Sequence, residues 1–116
     1  MPHAIIEYSA NIEDEVLAAD LSDRIHGTLI ECGLFSAKDI KTRSYCAEDF
    51  MVGEKGQDGS FVHVTVSLFD GRTLEQKQDL SQKVLDSLQE AEMEGVDSIS
   101  VDIRDITKAC YRKIGE

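Results

Sequence analysis

Residues 61–78 read FVHVTVSLFDGRTLEQKQ, and this stretch contains the strongest secondary-structure signals in the chain. From Phe61 to Phe69, apolar and polar residues alternate, which is the pattern of a strand buried on one face. Gly71 then marks a turn, and Thr73 followed three residues later by Gln76 has the spacing of a helix capping box. The stretch therefore predicts a strand that passes directly into a helix.

A first unit of strand, helix and strand is predicted over about residues 2–45. The apolar run at residues 4–8 indicates a short strand, and the weaker alternation at residues 39–45 indicates a second one. Between them, about residues 12–32 have apolar side chains at helical spacing. The predicted apolar stripe of this helix consists of Val16, Leu17, Leu21, Ile25 and Leu29.

A second unit with the same layout is predicted over about residues 60–106. The helix after Thr73 is expected to end near Gly95, and residues 98–106 (SISVDIRDI) form a clean alternating strand. The glycine-rich segment 51–59 predicts a loop or hairpin between the two units. The predicted apolar face of the second helix consists of Leu80, Val84, Leu85 and Leu88.

The order of these elements predicts an α+β fold that occupies residues 1–116 as a single domain. Each helical connection is long enough for a crossover between parallel strands, so the chain is a tandem βαβ repeat. We expect a four-stranded mixed sheet with both helices on one face. The other face is only partly apolar, and therefore requires either water or another subunit.

The charge balance excludes several classes of partner. The formal net charge of −11 is unsuited to nucleic acid or to anionic membrane surfaces, because both require a basic binding surface. It leaves room for a small anionic ligand, provided that the few cations converge locally. The composition, with 41% hydrophobic and 30% charged residues, is that of a globular protein.

The cysteines indicate the compartment. Cys32, Cys46 and Cys110 have no CxxC spacing, so we expect neither a disulfide framework nor a zinc site but reduced, mostly buried thiols. No signal peptide and no long apolar run is visible in the sequence. These features predict a cytoplasmic protein.

The start of the chain, MPHAIIEY, contains its single proline. Proline usually serves loops and turns, whereas Pro2 stands directly before a predicted strand. If Met1 is removed, Pro2 carries a secondary amine at the amino terminus. Burial and neighbouring cations would lower the pKa of that amine and make it a neutral base near pH 7.

The ordered blocks PHAIIEYS, CGLFSAKDIKTRS and GSFVHVTVSLFDGRTLEQKQ resemble the 5-carboxymethyl-2-hydroxymuconate isomerases of the tautomerase superfamily. The turn GRTLEQKQ is also similar to the strand-to-helix turn of 4-oxalocrotonate tautomerase. The resemblance covers about the first three quarters of the chain. It implies a homotrimer that isomerises an unsaturated 2-hydroxy dicarboxylate, in the breakdown of an aromatic acid such as homoprotocatechuate. It also implies that Pro2 is the base and that no cofactor takes part.

Three cations are candidates for binding the carboxylates of such a substrate. Arg72 lies at the end of a strand and just before a helix, while Lys41 and Arg43 share one face of the weaker strand. The isomerases that the chain resembles carry arginine where Lys41 stands. Lysine retains the charge but lacks the planar fork, which places the orientation of the substrate in question.

His3 and His63 are further candidates for ligand contact. His3 follows the proline, and His63 lies on the polar side of the strand at residues 61–69. A structural role is the commoner one for a histidine without an acidic partner in the sequence. Two alternatives to the isomerase also stay open: a noncatalytic small-ligand or regulatory module on the same fold, and a tautomerase-fold protein of different activity.

Overall fold

The structure is a computed structural model that describes residues 1–12, 15–91 and 93–115, and of residues 15–17 only the backbone. Within these residues it has four strands and two helices, neither of them long and apolar enough to cross a membrane. The elements are β1 His3–Ser9, α1 Glu15–Glu31, β2 Lys41–Ala47, β3 Phe61–Phe69, α2 Leu74–Gln89 and β4 Ser98–Ile106. Short 3₁₀ turns lie at Ala37–Asp39, Gly53–Lys55 and Lys108–Cys110.

The strands form one mixed sheet in the order β2-β1-β3-β4. The pairs β1–β2 and β3–β4 are parallel, as expected for strands joined by a helical crossover, and the central pair β1–β3 is antiparallel. Both helices pack on the same face of this sheet. The predicted fold, a tandem βαβ repeat with two helices on one face of a mixed sheet, is confirmed.

The core lies between the sheet and the two helices, because alternate strand residues point to opposite faces. Every second residue of β3, from Val62 to Leu68, is at most 1% exposed. Ala4 and Ile6 of β1 are buried in the same layer. The helices bury the residues Leu21, Ile25, Leu29, Leu80, Val84 and Leu88 against them.

Helix α2 begins as predicted but ends earlier. The Thr73 hydroxyl accepts a hydrogen bond from the Gln76 backbone N–H at 3.1 Å, and the Gln76 side chain accepts one from the Thr73 N–H at 2.9 Å. The predicted end near Gly95 is wrong, since the helix ends at Gln89. Beyond it, Ala91 and Met93 are buried under the core. Burial of these two side chains outweighs continuation of the helix, and Gly95, at φ +85°, allows the chain to turn into β4.

The first helix can be compared with its prediction only in part. Of its predicted apolar stripe, Leu21, Ile25 and Leu29 are confirmed as core residues. The predicted start of the helix near residue 12 cannot be checked at residues 13 and 14, because these lie outside the described residues. The side chains of Val16 and Leu17 lie outside them as well.

The prediction of mostly buried thiols is wrong. Cys32 is half-buried, whereas Cys46 and Cys110 are exposed; all three are free. Cys46 lies on β2, an outer strand of the sheet, and Cys110 lies in the 3₁₀ turn after β4. Neither position is covered by a helix, which is why a weakly polar side chain remains exposed there.

We predict that Leu80→Ala lowers the free energy of unfolding by about 3 kcal/mol, because it leaves a cavity under α2. The matched control is Leu74→Ala on the same helix, where the leucine is 68% exposed and the loss should stay under about 0.5 kcal/mol. Urea unfolding followed by circular dichroism at one protein concentration measures both. Equal losses in the two variants would contradict the assignment of Leu80 to the core.

Candidate active site

The site lies at the edge of the sheet where β1 and β2 begin and β3 ends. The register places His3 beside Lys41 of β2 and beside Ser67 near the end of β3. The turn from β3 to α2, which contains Arg72, therefore lies next to the amino terminus. This arrangement follows from the antiparallel β1–β3 pair, which sets the first residue of one strand against the last residues of the other.

Pro2 is buried at the start of β1. Its side chain is less than 2% exposed, and its carbonyl oxygen accepts a hydrogen bond from the Lys41 backbone N–H at 3.1 Å. The amino group of Met1 donates to the Asp39 carbonyl oxygen at 3.3 Å, and the Lys41 Nζ donates to the same oxygen, also at 3.3 Å. The amino terminus and the Lys41 ammonium therefore converge on one carbonyl group.

These surroundings favour a neutral amine. The pKa of the Met1 amino group is lowered, first by burial and then by the nearby charges of Lys41 and Lys113, while the Asp39 carboxylate acts in the opposite direction. Lys113 lies 3.6 Å from that carboxylate, which partly neutralises its effect. An amino group at this end of β1 is thus easier to deprotonate than one in water.

A cavity of about 200 Å³ opens beside the amino terminus. Its lining residues come from the start of the chain, the loop before β2 and the end of β3; they are Met1, Leu34, Phe35, Ser36, Asp39, Phe69 and Arg72. A larger cavity of about 340 Å³ lies between the helices, but its lining carries three acidic residues, Glu31, Asp86 and Glu90, against the single basic residue Lys83. That cavity is poorly suited to an anion, so the smaller one is the better candidate for the site.

Arg72 is held against the wall of this cavity. Its Nη2 donates to the Leu34 carbonyl oxygen at 2.6 Å, and its guanidinium carbon lies 5.8 Å from the centre of the Phe35 ring. Among the described residues the guanidinium has no other hydrogen bond in the structure, so its remaining N–H groups are available to a ligand. A planar guanidinium fixed in this way can bind a carboxylate through two parallel hydrogen bonds.

His3, Arg43 and Tyr111 form a second group on the sheet face opposite the helices. The Nη1 of Arg43 lies 3.0 Å from Nδ1 of His3, and Nε2 of His3 lies 3.2 Å from the Tyr111 hydroxyl oxygen. The pKa of His3 is lowered by burial and by the neighbouring positive charges of Arg43, Lys41 and the amino terminus. Burial and these charges therefore both disfavour the protonated form of His3.

The structure thus divides the predicted site residues. Arg72 lines the cavity, and Pro2 lies beside it, next to Met1. Lys41 contacts the cavity wall through its hydrogen bond to the Asp39 carbonyl group. Arg43 and His3 lie on the sheet face opposite the helices. His63 stands apart: its register partner in β1 is Glu7, about 13 Å along the strand from His3. Its Nδ1 is hydrogen-bonded to the Ser100 hydroxyl at 2.6 Å.

Several residues of the site were not predicted. Asp39 and Phe69 lie two and three residues from a predicted cation, and Leu34 and Phe35 lie farther along the chain. No spacing in the sequence identifies any of them as part of a cavity wall. Tyr111 and Lys113 follow β4 and reach the site only through tertiary contacts. The structure also shows no cluster of three or more His, Cys, Asp or Glu side chains that could hold a metal, within the part of the chain that it describes.

Comparison with known proteins identifies the family of this sequence. The sequence profile of the 5-carboxymethyl-2-hydroxymuconate isomerase family matches residues 2–113. A 5-carboxymethyl-2-hydroxymuconate Delta-isomerase of Escherichia coli is 29% identical over 86 residues, which are 74% of this chain and 68% of that protein.

Solved structures show the same fold. The crystal structure of a 5-carboxymethyl-2-hydroxymuconate isomerase from Deinococcus radiodurans R1 matches with a TM-score of 0.85 at 21% identity, over 99% of this chain and 90% of that one. A fused 4-OT that forms a symmetric trimer matches with a TM-score of 0.74 at 19% identity, over 92% and 87% of the two chains. The chain therefore belongs to the 5-carboxymethyl-2-hydroxymuconate isomerase family and is an isomerase that shares the fold of the fused 4-OT.

Proposed function

We propose that the protein is a cofactor-independent isomerase that moves a proton within an unsaturated 2-hydroxy dicarboxylate of the 5-carboxymethyl-2-hydroxymuconate type. The observation that carries the proposal is the position of the amino terminus, which lines a cavity together with Arg72 and shares the Asp39 carbonyl group with the Lys41 ammonium. The names of the related isomerases support the substrate class, and we place the reaction in the breakdown of an aromatic acid such as homoprotocatechuate.

The proposed base is the secondary amine of Pro2 after removal of Met1. The burial and the Lys41 and Lys113 charges that lower the pKa of the Met1 amino group would act on this amine too and favour its neutral form, which a general base requires. It would take the proton of the substrate's 2-hydroxyl group. The O–H electron pair then forms the C=O bond, the double bonds shift along the chain, and the Pro2 ammonium returns the proton to a more distant carbon.

The cations would bind the substrate and stabilise its transition state. Arg72, already anchored by Leu34 and Phe35, is suited to a bidentate contact with one carboxylate. Arg43 and Lys41 would attract a second carboxylate and stabilise the negative charge that develops on the dienolate oxygen. The Lys41 ammonium lacks the planar, bidentate geometry of a guanidinium. We therefore expect Lys41 to attract the substrate carboxylate more than to orient it.

We predict that Pro2→Ala lowers kcat with a 2-hydroxymuconate substrate by about 10²-fold, because a primary amine has a different basicity and geometry. The control is His63→Ala, which removes a predicted site residue far from the cavity and should leave kcat unchanged. Turnover is measured by ultraviolet absorbance of the dienol, and intact mass verifies that Met1 is absent. Full turnover by protein that retains Met1 would contradict the base, since the Pro2 nitrogen is then an amide.

We predict that Arg72→Ala raises KM by about 10- to 100-fold through loss of a charge-assisted pair. Arg72→Lys should fall between it and the wild type. The matched control is Arg104→Ala, because Arg104 is an exposed arginine on β4 paired with Asp102 at 2.7 Å. Thermal unfolding is recorded in parallel. A large drop in Tm with unchanged KM would indicate that Arg72 serves the fold and not the substrate.

We propose that the protein assembles as a homotrimer, on the model of the fused 4-OT trimer that shares its fold. The sheet face opposite the helices carries the half-buried side chains of Ile5, Phe61 and Phe69, which a neighbouring subunit would cover. Sedimentation velocity should give three times the chain mass of 12.9 kDa. A monomeric mass at micromolar concentration would contradict the proposal.

A further inference from the structure

The segment after β4 folds back over the start of β1. Residues 107–113, here called the β4 extension, contact the site through Tyr111 and Lys113. The Tyr111 ring packs edge-on against Phe69, with ring centres 5.1 Å apart at 79°. Lys113 pairs with the Asp39 carboxylate at 3.6 Å. The β4 extension is thereby attached to Phe69 in the cavity wall and to Asp39, whose carbonyl group binds the amino terminus.

Only one placement of the proton on the His3 ring fits its hydrogen bonds to Arg43 and Tyr111. The guanidinium of Arg43 can only donate, so Nδ1 of His3, 3.0 Å away, is the acceptor. His3 must then be neutral, with its proton on Nε2. That N–H donates to the hydroxyl oxygen of Tyr111 at 3.2 Å. The Tyr111 hydroxyl, by accepting from this Nε2–H, stabilises the tautomer in which Nδ1 faces Arg43 as an acceptor.

The other groups around His3 support the same state. Lys41 and the amino terminus face it from β2 and from the start of the chain, and their positive charges act together with Arg43 against protonation. Protonated His3 would present an N–H group to the Arg43 guanidinium. Two positively charged hydrogen-bond donors would then face and repel each other. Neutral His3 instead fixes the long Arg43 side chain before a substrate arrives.

We infer that Tyr111 is a positioning residue for Arg43, acting through His3, and that the β4 extension thereby sets the affinity of the site for the second carboxylate of its substrate. The inference rests on the proposed function in one respect, namely that Arg43 contacts a substrate carboxylate. An arginine already held by one N–H group loses less conformational freedom on binding and keeps its remaining donors for the ligand.

The test is Tyr111→Phe, which retains the ring on Phe69 and removes only the hydroxyl. The expected result is a rise of about fivefold in KM for the dicarboxylate, the equivalent of one hydrogen bond, with a smaller loss in kcat because Arg43 also stabilises the developing charge. The matched control is Tyr45→Phe, the same chemical change at a tyrosine that is 56% exposed on β2. Equal KM values for Tyr111→Phe and wild type would overturn the inference.

Two measurements are independent of turnover. The first is the affinity for muconate, an unreactive dicarboxylate, by titration calorimetry; Tyr111→Phe should bind it about fivefold more weakly than wild type and Tyr45→Phe equally well. The second is the ¹⁵N spectrum of the histidine rings at pH 7.5, with His3→Gln used for assignment. The expected result is a neutral His3 with its proton on Nε2.

The outcomes separate the two proposals. A His3 that is protonated, or that carries its proton on Nδ1, overturns the inference whether or not the protein is active. Muconate binding that is weakened by Tyr111→Phe, in a protein whose wild type has no isomerase activity, supports the positioning role and overturns the proposed reaction alone.

Discussion

The antiparallel pairing of β1 with β3 is the constraint on which the rest of the molecule depends. Each βαβ unit can pair its own two strands in parallel, but only the central pair joins the units into one sheet. Its direction sets the first residues of β1 against the last residues of β3. The amino terminus, the loop before β2 and the turn that contains Arg72 consequently meet at one edge, where the cavity lies.

Asp39 organises the charges at this edge. Its backbone carbonyl accepts hydrogen bonds from the Met1 amine and from Lys41, and its carboxylate pairs with Lys113. A chain with a net charge of −11 thus gathers cations from three separate segments around a small cavity. Local attraction of an anionic substrate is compatible with an acidic protein because the field near the cavity depends on these nearby groups.

Much of the fold could be predicted because its signals are local. The alternation in β3 and β4 and the Thr73–Gln76 capping box depend on side chains within one element, and the structure confirms them. The end of α2 could not be predicted in this way, since burial of Ala91 and Met93 against the core is a tertiary contribution. Exposure of Cys46 and Cys110 likewise depends on which strand lies at the edge of the sheet and on where the chain leaves it.

The sequence by itself determined the order of the elements, the family resemblance and the identity of the candidate base and cations. Only the tertiary structure decided that Pro2, Lys41 and Arg72 meet beside one cavity, that His63 lies away from it, and that Arg43 is held by His3. Tyr111 is 108 residues from His3 along the chain. No periodicity or motif encodes such a contact, because it arises from the pairing of whole strands and from the path of the chain after β4.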